Sequence, residues 1–89
     1  MTILRGGMTR DEISNLVAET FASQLRGITL THDLELLESG IIDSLALNSL
    51  VARLEEAIPR LRIPDSDVTP EALGSVDRIF AYMAKRGHA

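Results

Sequence analysis

The 89-residue chain contains no cysteine and no tryptophan, and its aromatic residues are Phe21, Phe80 and Tyr82. Without a thiol there is no disulfide scaffold, no thiolate metal site and no cysteine nucleophile. With so few rings, the core has to be assembled from Leu, Ile, Val and Ala. Two histidines, His32 and His88, are too few for a histidine-based zinc site, and no metal is expected. A formal net charge of −4 lacks the clustered Lys and Arg that phosphate contacts need, so no nucleic-acid partner is expected. No apolar run approaches the ~20 residues that span a bilayer. Met1 to Gly7 hold one Arg and no apolar signal segment, so the expectation is a cytoplasmic protein with no membrane partner.

What is present is an ordinary globular balance, 45% hydrophobic and 25% charged, in a length that suits one domain. Three stretches have helical periodicity and none has sustained strand alternation. The first is expected from about Thr9 to Leu25. Thr9 and Glu12 have the spacing of a capping box, Ile13, Leu16, Val17, Phe21 and Leu25 form one apolar stripe, and Arg26-Gly27 supplies a stop. The second is expected from Ser44 to Ala57, with Asp43 as N-cap, a stripe of Leu47, Leu50, Val51, Leu54 and Ile58, and Pro59 ending it. The third starts near Ser75 and carries Val76, Ile79, Phe80 and Met83 on one face. Before it, Thr69-Pro70-Glu71 has the pattern of N-cap, N1 proline and dipole-matched acid, opening a short helix that stops before Gly74.

The connections differ in kind. Residues 28–42 form a long link, and Leu30, Leu34, Leu36, Leu37, Ile41 and Ile42 require much of it to pack on the helices, with a helical turn around Leu34 to Glu38. Residues 60–68, containing Ile63-Pro64-Asp65, are expected as an ordered turn. The expected architecture is therefore all-α: a small four-helix bundle, three main helices plus one short helix, spanning 9–86 between a flexible tail at 1–8 and a C-terminal tail at 87–89. No feature demands a dimer, and a monomer is expected.

Charge is uneven. From Asp11 to Glu56 nine acids face only Arg26 and Arg53, a net charge of −7, between basic flanks. Such a segment is either a solvated surface or a face that steers basic partners. Within it, a long loop delivers Ser44 to the start of a helix, directly after Asp43 and close to the bend at Gly40. Asp-Ser at a helix start is ordinary capping chemistry. It is also a place where a phosphodiester on the serine oxygen meets free amides and the positive end of the helix dipole. A serine-hydrolase reading fails: Ile42-Asp43-Ser44-Leu45-Ala46 lacks the glycines of a nucleophile elbow, no strand precedes it, and His32 is the one candidate base. No catalytic residue is assigned, and the chain is not expected to be an enzyme.

Leu37-Glu38-Ser39-Gly40-Ile41-Ile42-Asp43-Ser44-Leu45, followed by an apolar helix ending Leu54-Glu55-Glu56, resembles the acyl carrier protein family, which includes the peptidyl and aminoacyl carriers. The resemblance continues through Ile63-Pro64-Asp65-Ser66-Asp67-Val68 and Leu73-Gly74-Ser75-Val76, and covers roughly residues 9 to 85. It implies a four-helix bundle whose Ser44 receives 4′-phosphopantetheine from coenzyme A through a phosphopantetheinyl transferase. The thiol of that arm then holds an acyl or aminoacyl group as a thioester, which explains a carrier with no sulfur nucleophile of its own. By the same resemblance Asp43 helps the transferase position its metal ion and coenzyme A. Leu45, Ala46, Ser49, Glu55 and Glu56, on the helix that follows, belong to the face partners read.

The pattern departs from carriers of bacterial fatty-acid synthesis in three places. Two residues, Ile41 and Ile42, separate Gly40 from Asp43 where those carriers have one. Ala46 and Ser49 stand where those carriers place acids. Arg60-Leu61-Arg62 is one residue longer and more basic than the family pattern. The form is closer to stand-alone carriers loaded by a dedicated ligase or acyltransferase and unloaded by a downstream synthase or transferase, in polyketide, nonribosomal peptide or specialised acyl-transfer pathways. The alternatives are a general fatty-acid carrier and, in another class, an unmodified helical adaptor.

Overall fold

The computed structural model describes residues 7–88 and places four α-helices in them: α1 (Arg10–Thr20), α2 (Ala46–Ala57), α3 (Pro70–Leu73) and α4 (Val76–Lys85). There is no strand among the described residues. α1 packs against both α2 and α4, and α3 against α4. The protein is the expected small all-α bundle, with a radius of gyration of 12.3 Å, close to that of a folded domain of this length. No helix among the described residues is long and apolar enough to cross a membrane.

Local chemistry accounts for the helix starts. Thr9 and Glu12 form the full capping box: the Glu12 amide donates to Thr9 Oγ1 at 3.2 Å and the Thr9 amide to Glu12 Oε1 at 2.9 Å. Thr69 Oγ1 accepts the Ala72 amide at 3.2 Å, with Pro70 in the first turn, and Ser75 Oγ accepts the Arg78 amide at 3.1 Å. α1 is shorter than its apolar stripe suggests. The Thr20 hydroxyl donates back to the Leu16 carbonyl at 2.7 Å, a bond that weakens a helix locally. The chain then runs as successive turns over residues 21–27, closing at Gly27 with φ +76°. Phe21 and Leu25 stay buried all the same, because those turns keep them on the stripe.

α2 starts two residues later than expected. Ser44 and Leu45 form a tighter turn, in which the amides of Ala46, Leu47 and Asn48 donate to the carbonyls three residues back. Asp43 is still the cap, since its Oδ1 accepts the Ala46 amide at 2.9 Å. Leu47, Leu50, Leu54 and Ile58 are buried, and Val51 is half-buried. α4 buries Val76, Ile79 and Met83, and leaves Phe80 half-buried under the Arg10 guanidinium, 4.1 Å from the ring centroid.

The long link packs without forming a helix. Its helical turn lies two residues later than expected, at residues 36–40, closed by the Ser39 amide donating to Glu35 O at 3.1 Å. Leu36 and Ile42 reach the core, Leu30, Leu34, Leu37 and Ile41 lie half-buried against it, and Ile28 is exposed. Residues 60–68 are the ordered turn expected, with a single 3₁₀ turn at Asp65–Asp67. The extra residues after α2 gain a structural account. Leu61 is fully buried, and Arg62 Nη1 donates to the Pro59 and Leu61 carbonyls at 2.8 Å each, closing the turn.

Residues 1–6 and 89, expected in the tails, lie outside the described residues. Met8 and His88 were expected in tails as well. The Met8 amide donates to the His88 carbonyl at 2.8 Å, the His88 amide donates to Met83 O at 2.8 Å, and Met8 packs on the core.

Candidate functional site

Ser44 stands exposed at the joint between the long link and α2. Two devices put it there. Gly40, with φ +79°, turns the chain in a conformation that side-chain-bearing residues adopt only at a cost. Ile42, buried directly before Asp43, then anchors the backbone so that Asp43, Ser44 and Leu45 all face solvent. The Ser44 hydroxyl and the Ser44 and Leu45 amides make no hydrogen bond among the described residues. Asp43 is committed through Oδ1 to the Ala46 amide and remains exposed.

Beside Ser44 opens a groove of about 670 Å³ between the end of the long link and the first turn of α2. Leu37, Gly40, Ile41 and Ile42 form its apolar side, with Asp43, Ser44 and Ala46 at its α2 end. Gln24, from the turns after α1, completes the wall. Nothing in the sequence points to Gln24, because it joins the site only through the packing of α1 on α2.

The residues nominated on α2 divide into two groups. Leu45 is 75% exposed, the most exposed large apolar side chain among the described residues. Ala46 is half-buried at the groove and Ser49 is exposed. Glu55 and Glu56 lie toward the other end and are engaged within the chain. Glu55 Oε2 accepts the Ile63 amide at 3.0 Å, tying α2 to the turn that follows it. Glu56 Oε1 lies 3.8 Å from Arg53 Nε, and Arg53 Nη2 reaches Glu19 Oε1 at 3.2 Å. The first two turns of α2 carry no charged side chain.

No three or more His, Cys, Asp or Glu residues converge on a metal position among the described residues. His32, the one base a hydrolase reading could use, lies with Nε2 3.6 Å from Asp11 Oδ1 on α1. The arrangement offers an exposed, unengaged nucleophilic oxygen beside free amides and an open groove. No protein-family model matches the chain, and no curated protein or solved structure matches it.

Proposed function

We propose that this protein is a carrier that holds an acyl or aminoacyl group as a thioester on a 4′-phosphopantetheine arm attached to Ser44, in a dedicated biosynthetic pathway. The observation that carries the reading is the exposed, unengaged Ser44 hydroxyl at the start of α2, directly after a capping aspartate. In the modification, Ser44 Oγ bonds to the phosphorus next to the pantetheine of coenzyme A, adenosine 3′,5′-bisphosphate leaves, and the hydroxyl proton goes to base. The phosphodiester formed there is favoured by the free Ser44 and Leu45 amides and the dipole of the helix behind them. Once bound, the arm supplies the thiol that this chain lacks.

A phosphopantetheinyl transferase is the first partner, a loading ligase or acyltransferase the second, and a downstream synthase or transferase the third. The uncharged start of α2, with Leu45 outward, suits partners that dock by apolar contact more than by ion pairing. It is the main reason to prefer a dedicated pathway over general fatty-acid synthesis. The arm also raises the effective concentration of cargo at a docked enzyme.

Intact-protein mass before and after incubation with coenzyme A, magnesium and a broad-specificity transferase tests the reading. Wild type should gain one phosphopantetheine. Ser44→Ala should gain none while losing at most about 1 kcal/mol of stability. Leu50→Ala is the opposite control: a fully buried leucine whose truncation costs about 2–5 kcal/mol and leaves the attachment residue intact. A folded wild type, unmodified at the start, that gains no mass would sink the carrier reading in favour of the adaptor.

A further inference from the structure

The segment that carries Ser44 to α2 has no regular helix between residues 28 and 42. A segment of this kind is ordered only by what it touches. Most of its polar ties to the rest of the chain lead to the junction between α3 and α4, far away in sequence. The His32 carbonyl accepts the Asp77 amide at 2.9 Å, in the first turn of α4, and the Leu36 amide donates to the Gly74 carbonyl at 2.8 Å. Arg78 Nε donates to both carboxylate oxygens of Glu35, at 3.1 and 2.9 Å. Arg78 is itself braced, because Nη1 donates to the Glu71 carbonyl at 3.0 Å.

The chain from this junction to Ser44 is short and continuous. Leu36, next to Glu35, is fully buried, and its carbonyl accepts the Ile42 amide at 3.1 Å. Ile42 precedes the Asp43-Ser44 pair. One residue, Leu36, is thus held by its amide from the α3–α4 junction and holds through its carbonyl the residue that sets the position of Ser44. The two backbone bonds fix the depth of the segment. The Arg78–Glu35 pair is the side-chain device that ties the segment laterally, with one Nε–H shared between the two carboxylate oxygens.

We infer that Arg78 is a positioning residue for Ser44: through Glu35 and Leu36 it holds the 28–42 segment in the conformation that presents the serine. The inference rests on the reading of Ser44 as an attachment site for its consequence in the modification reaction, and on the geometry alone for its effect on the segment. The pair is part-exposed, so its strength is modest. A partner that binds only the seated segment loses apparent affinity as the seated fraction falls.

The test compares wild type with Arg78→Gln, Glu35→Gln, Arg78→Lys and the charge-swapped Glu35→Arg/Arg78→Glu. Amide hydrogen exchange by NMR is read at Leu36 and Ile42, with Leu50 in α2 as the internal standard. In parallel, kcat and KM for each carrier are measured with coenzyme A, magnesium and the transferase. Both Gln variants should exchange Leu36 and Ile42 about 3- to 5-fold faster than wild type, the upper range an exposed ion pair supports. Leu50 should be unchanged. KM should rise by the inverse of the seated fraction that remains, with kcat retained, Arg78→Lys should fall between, and the swapped pair should recover both readouts only in part, because a carboxylate at position 78 cannot donate to the Glu71 carbonyl.

Unaltered exchange at Leu36 and Ile42 overturns the positioning role, as does equal acceleration at Leu50, which would mean general loosening. A KM that departs from the seated fraction measured by exchange overturns its link to Ser44. A wild type that accepts no phosphopantetheine defeats the attachment reading, and the exchange rates then judge by themselves whether Arg78 seats the segment.

Discussion

Asp43 has two separable tasks. Its Oδ1 accepts the Ala46 amide at 2.9 Å, which is structural, and under the carrier reading its negative charge serves the transferase. Asparagine keeps an oxygen in the same place and discards the charge. Asp43→Asn should therefore melt within a few tenths of a kcal/mol of wild type and be modified far more slowly, whereas Asp43→Ala should also lose about 1 kcal/mol of stability. Thermal unfolding beside the mass assay distinguishes them, and an Asp43→Asn protein modified at the wild-type rate would confine Asp43 to capping. Glu55 illustrates the reverse case. The resemblance places it on the partner face, and its carboxylate also accepts the Ile63 amide of the turn that follows α2. Glu55→Ala should cost about 1–3 kcal/mol by leaving that amide without its partner. A denaturation midpoint unchanged from wild type would return Glu55 to the surface role.

At the scale of elements, the α3–α4 corner is a close joint. Gly74 has an ordinary backbone conformation, so its need for glycine is one of space: a Cβ there would collide with the Pro70 carbonyl oxygen. Gly74→Ala should cost about 1–3 kcal/mol, by the logic of overpacking, and should disturb the Leu36 amide that Gly74 O accepts. Calorimetry reads the first and amide chemical shifts the second. The same corner shows what a single chain can and cannot announce. Thr9 and Thr69 were legible as caps because a cap and its amide lie three residues apart, within reach of local pattern, and Ser75 was legible only as the start of a helix. The buried stripes were legible because 3.6-residue periodicity is also local. The end of α1 was not, since the Thr20 hydroxyl competes with the helix it belongs to. Nor were Glu35 with Arg78, Glu55 with Ile63, or Gln24 with the groove, because each joins elements that only the completed fold brings together. Asp43 was legible as a cap within one short stretch, while the nomination of Ser44 as an attachment site rests on the family resemblance.

At the scale of the molecule, a pH-sensitive contact joins the 65–67 turn to α4. Tyr82 Oη donates to Asp67 Oδ2 at 2.7 Å and Arg86 Nη2 to the same oxygen at 2.9 Å. The Tyr82 hydrogen bond, and then that of Arg86, hold the Asp67 carboxyl below its usual value. Burial, and then the Asp67 carboxylate, push the Tyr82 phenol above its usual value. A depressed carboxyl contributes stability that is present above the ordinary carboxylate range and is lost as pH falls through the folded value. A raised phenol contributes stability that is present below the ordinary tyrosine range and is lost as pH rises through its folded value. The contact should therefore weaken at both extremes, below about pH 4 and above about pH 10. Tyr82→Phe should flatten the alkaline limb of a Tm-versus-pH curve and reduce the acid one. An unchanged alkaline limb would place that sensitivity elsewhere.

The bond from the Met8 amide to the His88 carbonyl makes the described chain nearly a ring. Its helices follow one another around a closed circuit, so the position of the ends is, topologically, a matter of where the ring is cut. A short linker from His88 to Met8, with a new opening at the exposed Pro59-Arg60 turn, would leave the 28–42 segment, Ser44 and α2 on one uninterrupted stretch. The order of the elements along the polypeptide would change, and the surroundings of the serine would not.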